Sequence, residues 1–244
     1  VLQDFYQAGI KVKILTGDYG LTTTSLAKQI GFIGYEQMIT GDELMKLSSK
    51  ELKIAVKENQ IFTRMFPEAK LKIINALKSN GEIVAMIGDG VNDGPALKSA
   101  HIGIAMGARG TEIAKQTASL ILVNDDLSTM VDAVAMGRRI YSNIKKAIQF
   151  VISIHIPIIL IVFIPLSMGW IYPSIFSPIH IAFLELIMDP TCSIVYENEP
   201  IEKNTMNQKP KPFTKSFFSN AEMFQSVLQG LMITVGLLII YQIA

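Results

Sequence analysis

Six residues, Gly88-Asp89-Gly90-Val91-Asn92-Asp93, gather two carboxylates, an amide and two glycines directly behind an apolar run at 83–87. A carboxylate at a strand end, flanked by glycines that let phosphate oxygens approach the backbone, suits a Mg²⁺–phosphate site. Mg²⁺ takes one or two carboxylates and fills its other positions with substrate oxygens and water. A turn that only caps the next helix would account for Asn92 or Asp93, but not for the whole cluster. A second apolar run ends in Leu15-Thr16-Gly17-Asp18. There a hydroxyl and an exposed glycine N–H can cradle a phosphate, although Thr-Gly-Asp is also an ordinary turn. Arg64 closes a third apolar run, and Lys70 follows Pro67 near a helix start. A cation at that place can neutralise a transferring phosphoryl group; a lone lysine on an amphipathic helix is more often simply solvated.

The elements that must position these residues alternate. Residues 12–16, 61–65, 83–87, 102–106 and 120–123 read as strands, and 21–31, 68–78, 95–99 and 111–117 as helices. The polar stretch 40–59 holds a short helix with Thr40 or Asp42 as its N-cap. Near-continuous apolar strands separated by helices predict βαβ units on a parallel sheet, an α/β domain over residues 1–125. Ligands of such sheets sit at the carboxyl ends of the strands, where all three polar turns fall.

Composition then changes. The chain of 244 residues is 50% hydrophobic and 18% charged, with a mean hydropathy of +0.36, whereas soluble domains carry about 25% charged residues. Residues 1–146 hold 18 Lys/Arg and 15 Asp/Glu, but 147–196 hold no Lys or Arg and only Glu185 and Asp189. A long helix is expected over 126–168, whose last 22 residues carry no formal charge. That is enough to cross a ~30 Å hydrocarbon core. Spans follow at 178–196 and 221–244, with Trp170 and Tyr172 at interfacial positions in the turn between the first two.

Arg138, Arg139, Lys145 and Lys146 precede the first span, and Lys203, Lys209, Lys211 and Lys215 lie in the loop 197–220. By the positive-inside rule this loop and the α/β domain are cytosolic. Nothing in the net charge of +1 suggests a nucleic-acid binder, and the single cysteine, Cys192, excludes a disulfide scaffold. The chain opens without Met in the middle of a pattern, and is expected to be the C-terminal section of a longer protein.

Carboxylates inside a span are costly and mark ion pathways by default. Glu185 and Asp189 are four residues apart, hence on one helix face. Pro190 follows, and Pro157 lies in the preceding span; each frees a carbonyl one turn earlier. These two acids are the candidate ligands of a transported cation.

Taken in order, ILTGD, FTRMFPEAK and MIGDGVNDGPALKSAHIGIAMGARGTEIAKQTASLILVNDDLSTMVDAVAMGRRIYSNIKK resemble the phosphorylation domain of P-type ATPases, in the calcium-pump-like branch. The resemblance covers roughly residues 1–150 and the long helix into the membrane. It implies a Rossmannoid, haloacid-dehalogenase-like fold, ATP as phosphoryl donor, Mg²⁺, and a phospho-aspartate intermediate. Position by position, Asp89 matches the Mg²⁺ ligand, Asn92 and Asp93 its neighbours around the phosphate, and Thr16 and Gly17 the phosphate-gripping turn. Asp18 and Arg64 match nucleotide-contacting positions and Lys70 the phosphate-neutralising lysine; Thr16, Lys70 and Asp93 are the expected catalytic groups.

The family's nucleophile string, Asp-Lys-Thr-Gly-Thr, does not occur in these residues. Its actuator and nucleotide-binding domains lie upstream and are the implied partners. In the spans, the calcium-pump pattern has Asn and Glu where this chain has His155 and Ile158. In the next span it has Asn and Thr-Asp where this chain has Glu185 and Met188-Asp189. The expectation is a pump of a hard cation, Ca²⁺ first, in the lipid bilayer of a bacterial plasma membrane. The alternative is a truncated membrane protein without catalysis.

Overall fold

A computed structural model describes residues 1–170, 176–210 and 217–243, with the side chain of Asp189 excepted. Contacts divide the chain into one unit built on Val1–Ala133 and another built on Val134–Thr205 and the last helix.

In the first unit, α1 (Leu2–Gln7) leads into β1 (Ile14–Leu15) and α2 (Gly20–Gln29). The stretch expected to hold one short helix instead carries a strand, β2 (Met38–Thr40), and two helices, α3 (Gly41–Lys46) and α4 (Ser49–Glu58). Thr40 and Ser48 cap them, each accepting from the backbone N–H of the glutamate three residues on, Glu43 or Glu51, whose carboxylate reaches back. This is the reciprocal capping box. Then come β3 (Ile61–Thr63), α5 (Pro67–Ser79), β4 (Ala85–Gly88), a 3-10 turn (Val91–Asp93), α6 (Gly94–Ser99), β5 (Ile102–Met106), α7 (Glu112–Thr117) and β6 (Leu120–Leu122). The fourth expected strand has the observed bounds; the others are shorter, and that at 83–87 is shifted to end on Gly88.

All strands are parallel, in two sheets of three: β1-β3-β2 and β4-β5-β6. One apolar cluster serves both sheets. It joins Phe62 and Met65 from the first side, Met86 and Ala105 from the second, and Ile73, Ile74 and Leu77 of α5. Among the described residues, β1 and β4 are end strands, each with one edge unpaired.

The second unit is helical. α8 runs unbroken over Ser128–Ser167, 40 residues and so about 60 Å, with Pro157 and Pro165 inside it. α9 (Pro178–Asn198) and α10 (Asn220–Ile243) follow. All three are long and apolar enough to cross a membrane. Basic and amide side chains of α8 hold the segment after α9. Arg139 Nε and Asn143 Nδ2 donate to the Glu199 carbonyl at 2.7 and 3.0 Å, and Lys146 pairs with Glu199 and Glu202 at 2.8 and 2.7 Å. Trp170 stacks on Tyr241; Tyr172, Lys211 and Lys215 lie outside the described residues.

Candidate phosphate and cation sites

The turn after β1 is tied to the end of β3 by backbone bonds. Thr16 N–H donates to Phe62, Met65 N–H to Thr16, and Arg64 N–H to Asp18. Within the turn, Thr16 Oγ1 donates to the Asp18 carboxylate at 3.1 Å and accepts from the Asp18 N–H at 3.1 Å. Gly17 and Asp18 are exposed, so the Gly17 N–H edge is open to a ligand. Arg64 follows the last residue of β3 rather than ending it. It has a left-handed φ of 50°, and its guanidinium lies 5.4 Å from the Tyr19 ring centre.

At the end of β4, Asp93 is drawn inward. Its side chain lies close enough to Gly88 that a Cβ there would stand 2.6 Å from Asp93 Cβ and 2.9 Å from its carboxylate. Glycine is thus required before Asp89 for a packing reason. Lys70, in the first turn of α5, places Nζ 2.6 Å from Asp93 Oδ1, with the two side chains 13% and 9% exposed. Asp93 Oδ2 accepts from Gly90 N–H at 3.4 Å. Asp89 is exposed, and only its backbone carbonyl has a partner among the described residues, the Thr111 N–H at 2.8 Å. Asn92 is exposed beside it.

α5 follows β3 and the 3-10 turn follows β4, so the Lys70–Asp93 contact brings the carboxyl ends of both sheets to one side of the unit. A lysine that sequence alone leaves as a solvated side chain is half-buried and paired. Chemically, the array offers an unengaged carboxylate at Asp89, a half-buried cation at Lys70 and exposed glycine backbone at Gly17. That combination suits an anion held with a hard cation.

Two features escaped the sequence reading. Thr63, fully buried at the end of β3, has a hydroxyl with no hydrogen-bond partner among the described residues. Asp125, with a φ of 52°, accepts from Ala108 and Arg109 N–H at 3.0 and 2.9 Å. It anchors the third polar turn, Gly107-Ala108-Arg109-Gly110. Burial works against its charge, but the Ala108, Arg109 and Gly107 N–H groups outweigh it and hold the carboxyl below its usual range.

In the helical unit, His155 Nε2 lies 3.9 Å from Glu185 Oε1. Asp189 is on α9 one turn beyond Glu185; its side chain lies outside the described part. Pro157 leaves the Ser153 carbonyl without its helical donor, and a Cβ at Gly230 of α10 would stand 3.0 Å from that oxygen. Among the described residues, no group of three or more His, Cys, Asp or Glu is arranged to hold a metal.

The α/β unit is of the class that its sheets and polar turns suggest: a family model described as haloacid dehalogenase-like hydrolase matches residues 1–101. A second, described as cation transporting ATPase, C-terminus, matches residues 173–244. The chain is 38% identical over 230 residues to Calcium-transporting ATPase 1 of Bacillus cereus, covering 93% of this chain and 26% of that protein. It is 36% identical to Calcium-transporting ATPase 1 of Lactococcus lactis, covering 96% of this chain and 26% of that protein. Against human Calcium-transporting ATPase type 2C member 2 the identity is 37%, covering 98% and 25%. The chain belongs to the cation-transporting P-type ATPases, and spans about a quarter of the length of these curated relatives.

Proposed function

We propose that this chain is the part of an ATP-driven cation pump that grips the transferred phosphoryl group and carries helices of the ion pathway, with Ca²⁺ as cargo. The observation that carries the reading is the convergence at the Lys70–Asp93 contact. It joins the carboxyl ends of two parallel sheets whose end strands, β1 and β4, each have an unpaired edge. A strand between them would complete one continuous sheet and deliver its own carboxyl end between the Thr16 turn and Asp89. In this reading that strand ends in Asp-Lys-Thr-Gly-Thr and lies outside the 244 residues.

Asp89 fits a Mg²⁺ ligand because its carboxylate is exposed and not engaged by a neighbouring side chain, whereas Asp93 is already held by Lys70. When bound, Mg²⁺ would supply charge neutralisation on the phosphoryl oxygens. Thr16 and Gly17 offer hydroxyl and N–H donors to those oxygens. Lys70, kept in place by Asp93, brings positive charge where the phosphoryl charge accumulates. Asn92 lies beside this group, and Asp18 and Arg64 flank the nucleotide. Glu185 and Asp189 supply oxygen ligands to the cargo. The α/β unit is then cytosolic, in a bacterial plasma membrane, and works with upstream actuator and nucleotide-binding domains.

The experiment compares two proteins in liposomes: this chain alone, and the same chain preceded in frame by the segment bearing Asp-Lys-Thr-Gly-Thr. With labelled ATP and Mg²⁺, the longer protein forms an acid-stable acyl phosphate and takes up Ca²⁺, and the chain alone does neither. Label on the chain alone, or no ATP-dependent cation uptake by the longer protein, would refute the reading.

A further inference from the structure

We infer that Asp125 is a positioning residue for the Mg²⁺ carboxylate: it clamps the Gly107–Gly110 turn, and the far end of that turn holds the backbone of Asp89. This rests on the pump reading above and concerns what aims the metal ligand in that site.

Asp89 needs such a support. It stands just past Gly88, the last residue of β4 in register with β5, and Gly90 follows it. Glycine on both sides leaves the chain permissive there, and the Asp89 side chain is exposed. What fixes its peptide is the bond its carbonyl accepts from Thr111 N–H at 2.8 Å. Mg²⁺ demands near-ideal octahedral geometry, so the direction of a lone carboxylate bears on its affinity.

Thr111 is the first residue past the turn and the N-cap of α7. The shape of the turn is set from Asp125. Its side chain is 8% exposed, and its carboxylate accepts from Ala108 N–H at 3.0 Å and from Arg109 N–H at 2.9 Å. The Leu122 carbonyl accepts from both Gly107 N–H and Asp125 N–H, at 2.8 and 3.1 Å, so the turn and its clamp hang from one strand end. There is little room for another shape: a Cβ at Gly107 would stand 2.6 Å from that Leu122 oxygen, and one at Gly110 would meet the Met106 carbonyl. Asp125 itself holds a left-handed φ of 52°. Such a backbone persists only where the surroundings over-determine it.

A purely structural role for Asp125 would end at the turn. The arginine side chain is not what it grips, because Arg109 Nε is 3.7 Å away, beyond hydrogen-bond reach, and 81% exposed. The grip is on the main chain, which leads two residues later to the Thr111 N–H. Outer partners that orient a metal ligand change metal affinity by 10–100-fold when lost. Here the outer partner acts through the peptide of the ligand residue, so the low end of that range is expected.

The test uses the full-length protein in lipid nanodiscs without ATP. Binding of orthovanadate, a stand-in for the phosphoryl group, is followed as Mg²⁺ is titrated. Asp125→Ala should raise the Mg²⁺ concentration at half-saturation about tenfold, with the maximum binding unchanged because the protein is still folded. Asp125→Asn, which keeps one acceptor oxygen, should fall between that variant and the wild type. Thr111→Pro deletes the N–H that Asp89 accepts, at a φ of −67° that proline adopts, and should match Asp125→Ala. Thr111→Ala loses only the hydroxyl cap and should not. Combining Asp125→Ala with Thr111→Pro should add nothing further, since both act through one turn. An unchanged half-saturation in Asp125→Ala, a fall in the maximum alone, equal losses in the two Thr111 variants, or additive losses in the double variant would overturn the inference. Mg²⁺-dependent vanadate binding by the wild type would still leave the pump reading standing, and its absence there would sink both.

Discussion

Lys70 Nζ lies 2.6 Å from Asp93 Oδ1, and this contact ties the helix that follows one sheet to the turn that follows the other. Removing one partner of a buried pair leaves the other charge unmatched, at a cost of about 3 kcal/mol. Lys70→Met should therefore lower the unfolding midpoint of the α/β unit, and adding Asp93→Asn should restore part of the loss. The check is denaturant unfolding followed by circular dichroism. Equal midpoints for the wild type and Lys70→Met would mean that the pair contributes nothing to the fold.

Asp89 presents the opposite case. Its carboxylate is exposed and unengaged among the described residues, so Asp89→Asn should change stability by less than about 0.5 kcal/mol. On the proposed function, in the longer protein it should reduce phosphoenzyme about a hundredfold or more, by analogy with the loss of one electrostatic stabiliser from an active site. Normal phosphoenzyme levels in this variant would place the metal carboxylate elsewhere.

The contrast between these two aspartates shows what could be read from the residues in order. Asp89 and Asp93 are legible as a candidate site because their types are concentrated in one short loop. Their division of labour is not, because it depends on a lysine 23 residues away. Similarly, Asp125 meets Arg109 across 16 residues, and His155 meets Glu185 only when two spans pack. β2 escaped because it is three residues long, in a polar stretch, and paired on one side only. The capping boxes beside it were visible as Thr40…Glu43 and Ser48…Glu51, and would have revealed two helices instead of one.

Thr63 should be improvable. Its hydroxyl is buried without a partner, and an unsatisfied buried hydroxyl is destabilising by about 1–3 kcal/mol. Valine has nearly the same shape and favours a strand. Thr63→Val is expected to raise the stability of the α/β unit by about 1 kcal/mol, read as a higher unfolding midpoint. A lower midpoint would mean that the hydroxyl is satisfied in solution.

Gly230 and Gly236 lie on the same helix but face different surroundings. A Cβ at Gly230 would stand 2.8 Å from Ile156 Cβ and 3.0 Å from the Ser153 oxygen, whereas at Gly236 nothing lies within 4 Å. Small residues allow close helix approach in membranes, and overpacking costs about 1–3 kcal/mol. Gly230→Ala should thus lower the thermal unfolding midpoint in detergent and Gly236→Ala should not. Equal effects would show that helix propensity, rather than the contact with α8, governs both positions.

Asp125 gives the pH prediction. Its carboxyl is held below the ordinary value of 3.8 by backbone donors that favour the charged form. When the folded-state value is depressed, the unfolded chain takes up protons first as pH falls. The stabilisation is therefore complete above the unfolded value and is lost as pH drops through the folded one. Asparagine tolerates the left-handed backbone at this position and keeps an acceptor oxygen, so Asp125→Asn removes the charge with little else. At neutral pH the variant should unfold at lower denaturant than the wild type. As pH is lowered below 3.8 the two curves should converge, the wild type having lost the advantage its charge conferred. The measurement is the unfolding midpoint of both proteins from neutral pH into the acid range. A gap that stays constant throughout would show that the Gly107–Gly110 turn is held by shape and not by the charge on Asp125.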